Sequence, residues 1–313
     1  MKPLQMPMFS PETEWIPPTH LPDLKDHKEI AIDLETRDPG LKSSGSGSVN
    51  GNGEVVGIAV AVEGWSGYFP IAHEGGGNMD RALVLDWFEE VLHTDATKIF
   101  HNAMYDVSWI RSMGFYIRGG VIDTLIAASL IDENRWGYAL NALGKQYVGV
   151  GKNEKILNDA AKSWGIDPKA DMWRLPAPLV GEYAEQDAVL TLRLWHALQR
   201  EISSQDLWDV FNLETNLFPC LIDMKFKGVR VDAEKANLLK QELIKEEKNI
   251  YRGIRKLIGF DVEIWAAASI AKAFDEVKLP YDRTEKGAPS FTKNFLATHP
   301  HELPKAIANA REI

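Results

Sequence analysis

Cysteine is nearly missing from this chain: Cys220 is the only one in 313 residues. A lone thiol cannot form an internal disulfide, which fits a reducing compartment. Its apolar helical surroundings point to a packed core thiol rather than a nucleophile. No Cys/His cluster of the kind zinc needs is present. Long apolar runs are missing too. None approaches the ~20 residues of a membrane span, and Met1–Phe9 lacks the apolar core of a signal peptide, so the expected setting is the cytoplasm, with no membrane partner. Positive charge is in deficit, with 35 Lys and Arg against 45 Asp and Glu and a net charge of −10. That excludes a protein that coats nucleic acid through a broad basic surface. It leaves room for a site that grips a few terminal nucleotides, where bound cations face the phosphate and part of the negative charge forms their cage.

The rest of the composition is ordinary. Hydrophobic residues make up 45% and charged residues 26%, enough for one large domain or two smaller ones. Residues 1–28 read as a proline-rich, irregular lead-in. Glu29–Glu35 is a β-branched run bounded by turn formers, hence a strand. Lys42–Gly53 reads as a mobile loop of glycine, serine and asparagine. Glu54–Glu63 and Trp65–Ile71 flank a Gly64 turn as antiparallel strands. A helix over 80–93 offers Leu83, Leu85, Trp87, Phe88, Val91 and Leu92 for burial. Strands at Lys98–Phe100 and Gly120–Ile122 then alternate with helices at Ala103–Met113 and Thr124–Ile131, which implies a parallel pair with crossovers. The sum is an α/β fold, an RNase H-like mixed sheet with helices on both faces. An all-helical segment follows, with helices at 140–147, 154–163, 178–201, 205–226 and 233–258. Asp232 and Gly259 delimit the last. The expected domains are 1–203 and 204–313.

Three acidic clusters carry the chemistry. Asp33 and Glu35, in Ile30-Ala31-Ile32-Asp33-Leu34-Glu35-Thr36, are two apart on a strand and share one face. Two carboxylates there are costly unless cations neutralise them. Asp106 lies one turn into a helix, in Asn102-Ala103-Met104-Tyr105-Asp106, where Asn102 suits an N-cap, a substrate contact, or both. Tyr183 and Asp187, in Tyr183-Ala184-Glu185-Gln186-Asp187, are four apart and share a helix face. Each pattern alone is common; their order along the chain is specific.

Together they resemble the three exonuclease motifs of the DEDD superfamily in its tyrosine-bearing branch, and more narrowly the proofreading domain of family A DNA polymerases, especially phage ones. Phe69-Pro70-Ile71-Ala72-His73, Asp123-Thr124-Leu125 and Leu140-Asn141-Ala142-Leu143 extend the likeness. Farther on, Glu214, Leu217-Phe218-Pro219, Met224, Gly228-Val229-Arg230-Val231-Asp232 and Thr284 through Ser290 resemble the start of a polymerase thumb. Neither an H-D-E palm motif nor a lysine-bearing fingers helix is present. The chain is therefore expected not to polymerise DNA alone. The expectation is either a truncated chain or a product whose polymerase half is separately encoded.

The resemblance implies 3′-5′ hydrolysis of DNA to nucleoside monophosphates, at single-stranded or frayed 3′ ends, as the proofreading part of a phage replicase in the host cytoplasm. It implies that Asp33, Glu35 and Asp187 hold one divalent ion, and that Asp33 bridges to a second near Asp106. All-oxygen ligands suit two Mg²⁺ or Mn²⁺ ions. Tyr183 would orient the attacking water, and Leu34, Thr36, Asn102 and Tyr105 would contact the terminal nucleotide. The competing readings are an RNA-trimming exonuclease of the same branch and a non-catalytic module that holds DNA or a polymerase. Among other conspicuous residues, Asp123 reads as a helix N-cap and His73 as structural. Trp87, Trp109 and Trp195 read as core, Trp173 as the best base-stacking candidate, and Lys245–Lys248 as a solvated face.

Overall fold

The structure is a computed structural model that describes residues 11–313. The first ten residues of the lead-in lie outside the described residues, and 11–28 have no regular element. A five-stranded sheet in the order β3-β2-β1-β4-β5 forms the centre of the first of two compact units, which ends at Gly228. Its strands are β1 (Glu29–Arg37), β2 (Glu54–Val62), β3 (Trp65–Pro70), β4 (Thr97–Phe100) and β5 (Val121–Asp123). β1, β2 and β3 pair antiparallel, whereas β1–β4 and β4–β5 are parallel, the mixed arrangement anticipated.

Alternation along β1 decides what lies on each side. Ile30, Ile32 and Leu34 join Ile58, Val60 and Phe69 in a buried cluster. That cluster is covered by α2 (Arg81–Leu92) and α3 (Ala103–Ser112). Each such side chain, fully buried, contributes about 1.5–3 kcal/mol. The opposite face is built of small residues: Ala31 pairs with Ala61, Asp33 with Ala59 and Glu35 with Gly57. This face is covered by α4 (Thr124–Ile131), α5 (Leu140–Leu143), α6 (Lys155–Trp164) and the long α7 (Pro178–Ser204). A π-helical turn, Gly144–Val148, follows α5, so the helix expected over 140–147 is split in character.

Four expectations need correction. Asp80 caps α2 through Ala82 and Leu83 N–H, but Leu83 faces solvent, because Val84, Trp87, Phe88 and Val91 define the buried stripe. The glycine-serine segment contains a helical turn, α1 (Gly47–Asn50), tied by Gly47 N–H to Asp38 Oδ1 at 3.0 Å. Cys220 is exposed, since α8 (Trp208–Lys227) turns Phe211, Phe218 and Ile222 inward instead. Finally, compactness does not break at 203/204. Phe211 stacks on Trp195 of α7 with ring centroids 5.5 Å apart, and Phe218 and Ile222 enter the cluster that holds Ile110 of α3.

The second unit spans Val229–Ile313. It contains α9 (Ala233–Ile258), α10 (Ala267–Glu276), α11 (Lys293–Thr298) and α12 (Glu302–Glu312). It also holds a two-stranded ribbon, β6 (Asp282–Arg283) with β7 (Pro289–Ser290), which an all-helical reading omits. Asp232 accepts from Lys235 N–H and Gly259 closes α9 in the left-handed conformation. Ile254 and Ile258 bury against Phe274, Leu303 and Ile307. The earlier part of the α9 stripe, Leu238 and Leu239, is exposed.

Candidate active site

The acids converge because two elements cross at the small-residue face. Asp33 and Glu35 project from β1 toward α7, where Tyr183 and Asp187 stand one turn apart and buried. Ligand oxygens of Asp33, Glu35 and Asp187 all lie within 4.8 Å of one another. Gly57 makes this possible from below: a Cβ there would stand 2.0 Å from Tyr68 Oη. That phenol is bonded to His73 Nε2 at 2.6 Å, and His73 Nδ1 meets Leu175 O at 3.0 Å. His73 is thus a buried strut, its pKa lowered to about 4 by burial.

Asp106 approaches along the open edge of β1. Pairing with β4 ends at Ala31, and Leu34 N–H donates to Asp106 Oδ1 at 3.0 Å. Asn102 heads α3 with a left-handed φ of 70° and makes no side-chain cap, so the capping expectation fails. The cap comes from Asp123, whose carboxylate accepts from Asn102 N–H at 2.9 Å, Ala103 N–H at 2.8 Å and Leu125 N–H at 2.9 Å. One acid therefore starts both α3 and α4, and fixes the turn that presents Asn102 and Asp106.

The charge balance is unfavourable to ionised acids. Burial, then the Asp187 charge, pushes Asp33 up to about 7. Burial followed by Asp33 raises Glu35 and Asp106 well above the usual range. Burial also raises Asp187, against the pull of Lys152. Tyr183 is raised by burial and then by Asp187, so its phenol stays neutral.

A cleft of about 620 Å³ opens over these groups; Leu34, Asn102 and Tyr105 line it. Thr36 is not on its wall, but its hydroxyl bonds Tyr105 Oη at 2.6 Å. A cleft of about 740 Å³ elsewhere on α7, with Arg193 and Arg200, holds none of Asp33, Glu35, Asp106 and Asp187. Trp173 is buried, with the guanidinium groups of Arg37 and Arg174 5.4 and 5.7 Å from its ring centre, which removes it as a stacking surface. Trp87, Trp109 and Trp195 are core, as expected.

Lys152 was not foreseen. Its ammonium donates to Asp187 Oδ2 at 2.5 Å and to Tyr183 Oη at 3.2 Å. The one available signal was a lysine behind Gly149-Val150-Gly151, just before a helix. His101 was missed as well. It is held by Thr124 Oγ1 and Tyr138 O at 2.8 and 2.9 Å, and burial lowers its pKa to about 4.

The donor set fits a hard cation. The three carboxylates offer oxygen only, the ligand type of Mg²⁺ and Mn²⁺. Asp187 Oδ1 is buried without any hydrogen-bond partner, a vacancy in its bonding that a cation satisfies.

Comparison with known proteins shows the family. The chain is 34% identical to a DNA-directed DNA polymerase of Pseudomonas phage M6 over 99% of its own length and 48% of that protein's. It is 29% identical to DNA polymerase DpoZ of Salmonella phage PMBT28, over 93% of this chain and 47% of the relative. The chain thus spans about half the length of these curated relatives. A solved POL domain of Pol1 from M. smegmatis, in complex with DNA primer-template and dNTP, matches with a TM-score of 0.61 at 15% identity. It covers 92% of this chain and 45% of that one, a likeness of fold alone. Among the described residues no helix is long and apolar enough to cross a membrane. Residues 17–203, more than half of the chain, match the family described as 3′-5′ exonuclease, and the chain belongs to that exonuclease domain family of family A DNA polymerases.

Proposed function

We propose that this chain removes nucleotides one at a time from the 3′ end of DNA, as the proofreading part of a phage replicative polymerase. The observation that carries this reading is the convergence of Asp33, Glu35 and Asp187 within 4.8 Å, with Tyr183 beside them. In it, Asp33, Glu35 and Asp187 hold one divalent ion, and Asp33 with Asp106 serves a second. Two such ions supply charge stabilisation for both the attacking and leaving oxygens and lower the pKa of water.

The chain's own residues do the rest. Tyr183, neutral and buried, orients the attacking water through its hydroxyl rather than accepting its proton. Leu34 and Tyr105 on the cleft wall pack against the terminal nucleotide, and Asn102 offers its amide. Thr36 acts through Tyr105, whose hydroxyl it holds. Trp136, fully exposed in the loop that leads to the cleft residue Tyr138, is a stacking surface where Trp173 is not. A cleft with its acids on the floor accepts a single strand; melting a paired end costs about 1.4 kcal/mol per step.

The test is release of nucleoside monophosphates from a 3′-labelled single strand with Mg²⁺. Asp33→Ala and Asp187→Ala should each slow release by about 10³-fold or more, ~4 kcal/mol in barrier. Either variant retaining more than a few per cent of the rate would refute the ligand assignment. Faster attack on paired blunt ends than on mismatched ends would refute the proofreading role.

A further inference from the structure

The acid cluster contains a cation of its own. The Lys152 side chain is only 12% exposed and its partner Asp187 only 5%. Its ammonium reaches Asp187 Oδ2 and Tyr183 Oη, and stands 5.0 Å from the centre of the Tyr183 ring. The charges of Asp33 and Glu35 act on it as well. Lys98, which is fully buried, is different in kind. Its ammonium meets Thr94 O, Thr94 Oγ1 and Arg118 O, neutral acceptors that satisfy a structural lysine.

The loop that delivers Lys152 is built for the purpose. Lys152 N–H donates to Asn141 Oδ1 at 3.0 Å, and Asn153 N–H to Gln186 Oε1 at 2.6 Å. Gln186 Nε2 donates to Gly151 O at 3.3 Å. A Cβ at Gly151 would stand 2.5 Å from Lys145 Cε and 2.7 Å from Asn141 Oδ1, so the loop lies close against α5. Gln186 adjoins Asp187, so one turn of α7 both carries the acid and anchors the loop that neutralises it. Buried acids left without a cation are strongly destabilising, and the ammonium answers that need.

We infer that Lys152 is a resident counter-cation: it holds Asp187 and Tyr183 in place in the cation-free protein and competes with a divalent ion for Asp187 Oδ2. Lys152 thereby sets the free metal concentration at which the site loads. The inference rests on the carboxylates holding divalent ions, and the experiment separates the two.

Mn²⁺ binding to the full chain without DNA is followed by the electron paramagnetic resonance of free Mn²⁺, beside thermal melts in EDTA and in saturating Mn²⁺. Lys152→Gln should bind Mn²⁺ about tenfold more tightly, because a competing charge is gone. In EDTA it should melt below wild type, and saturating Mn²⁺ should close that gap. Lys152→Arg, which keeps the charge, should stay near wild type in EDTA. Equal or weaker Mn²⁺ binding by Lys152→Gln overturns the lysine's role while leaving the metal site intact. A low melting point that Mn²⁺ does not restore reduces Lys152 to a fold residue and overturns it too. Absence of Mn²⁺ binding in both proteins removes the carboxylate site and this inference together.

Discussion

The two faces of the central sheet are made to opposite specifications. On one, Ile30, Ile32, Ile58, Val60 and Phe69 pack under α2 and α3 with almost no exposure. On the other, Ala31, Ala59, Ala61 and Gly57 give up bulk, so that α7 brings Tyr183 and Asp187 onto Asp33 and Glu35. The first face is stabilised by transfer of apolar surface from water. The second carries Asp33, Glu35 and Asp187 close together, with Lys152 as their one paired cation among the described residues, so burial raises the carboxyls and their ionisation opposes folding. Apolar packing is thus concentrated on the face away from the acid cluster. α8 is the element that serves both, with Phe211 on the α7 side and Phe218 and Ile222 on the α3 side.

The most severe way to break this arrangement is to remove α8. Ending the chain at Ser203 strips three buried side chains, each worth about 1.5–3 kcal/mol, and should leave an aggregating protein without a cooperative melt. Ending it at Gly228, the limit of the compact unit, should preserve a sharp melt and cleavage of short single strands. A well-folded 203-residue product would show that the two faces need no common brace.

A paired substitution compares the faces directly. Ile32→Ala should lower unfolding free energy by about 2–5 kcal/mol in urea titrations, while Mg²⁺-dependent cleavage persists at low temperature. Asp33→Ala should do the reverse: cleavage is lost, and stability in EDTA is equal to or above wild type, because a half-buried charge facing two other carboxylates has been removed. A large loss of stability in Asp33→Ala would mean that the acids support the fold.

Tyr183→Phe sharpens the division within the second face. The ring keeps its buried place and only the hydroxyl is lost. Cleavage should fall by about 10²-fold or less, with Mn²⁺ affinity close to wild type. Unchanged turnover would end the water-orienting role.

The smallest expected effect is in pH. Asp33 rises from its ordinary 3.8 to about 7 on folding, so the metal-free fold binds more protons than the unfolded chain between those values. Its contribution to stability is present at low pH and lost as pH rises through about 7. Mg²⁺ needs the ionised acid. The rise in melting temperature on adding Mg²⁺ should therefore be greater at pH 8 than at pH 5.5. His73 and His101, lowered to about 4, act in the opposite sense, losing stability as pH falls from 6.5 toward 4. They do so with or without metal, so the difference between the melts isolates the acids. An Mg²⁺ shift that is flat with pH would contradict the raised carboxylates.

Much of the molecule was legible as sequence because it rests on short-range periodicity. A two-residue repeat places Asp33 and Glu35 on one side of β1, and a four-residue spacing stacks Tyr183 above Asp187. α4 and α9 run over the residues read from their caps and stops, Asp232 and Gly259 among them. Those patterns are local properties of the backbone, independent of what the element later touches. The second set of findings has no such signature. Asp123 caps a helix 20 residues behind it as well as its own. Leu83 and Cys220 face water though their neighbours are apolar, and Trp173 is closed off by two arginines. Lys152, in an unremarked loop, ends 2.5 Å from an acid 35 positions away. The sequence by itself determined which side chains share a face. Which face meets which, and therefore which charge neutralises which, was decided only when α7 settled on the alanines of the sheet, since long-range electrostatics and packing depend on distances that no local pattern encodes.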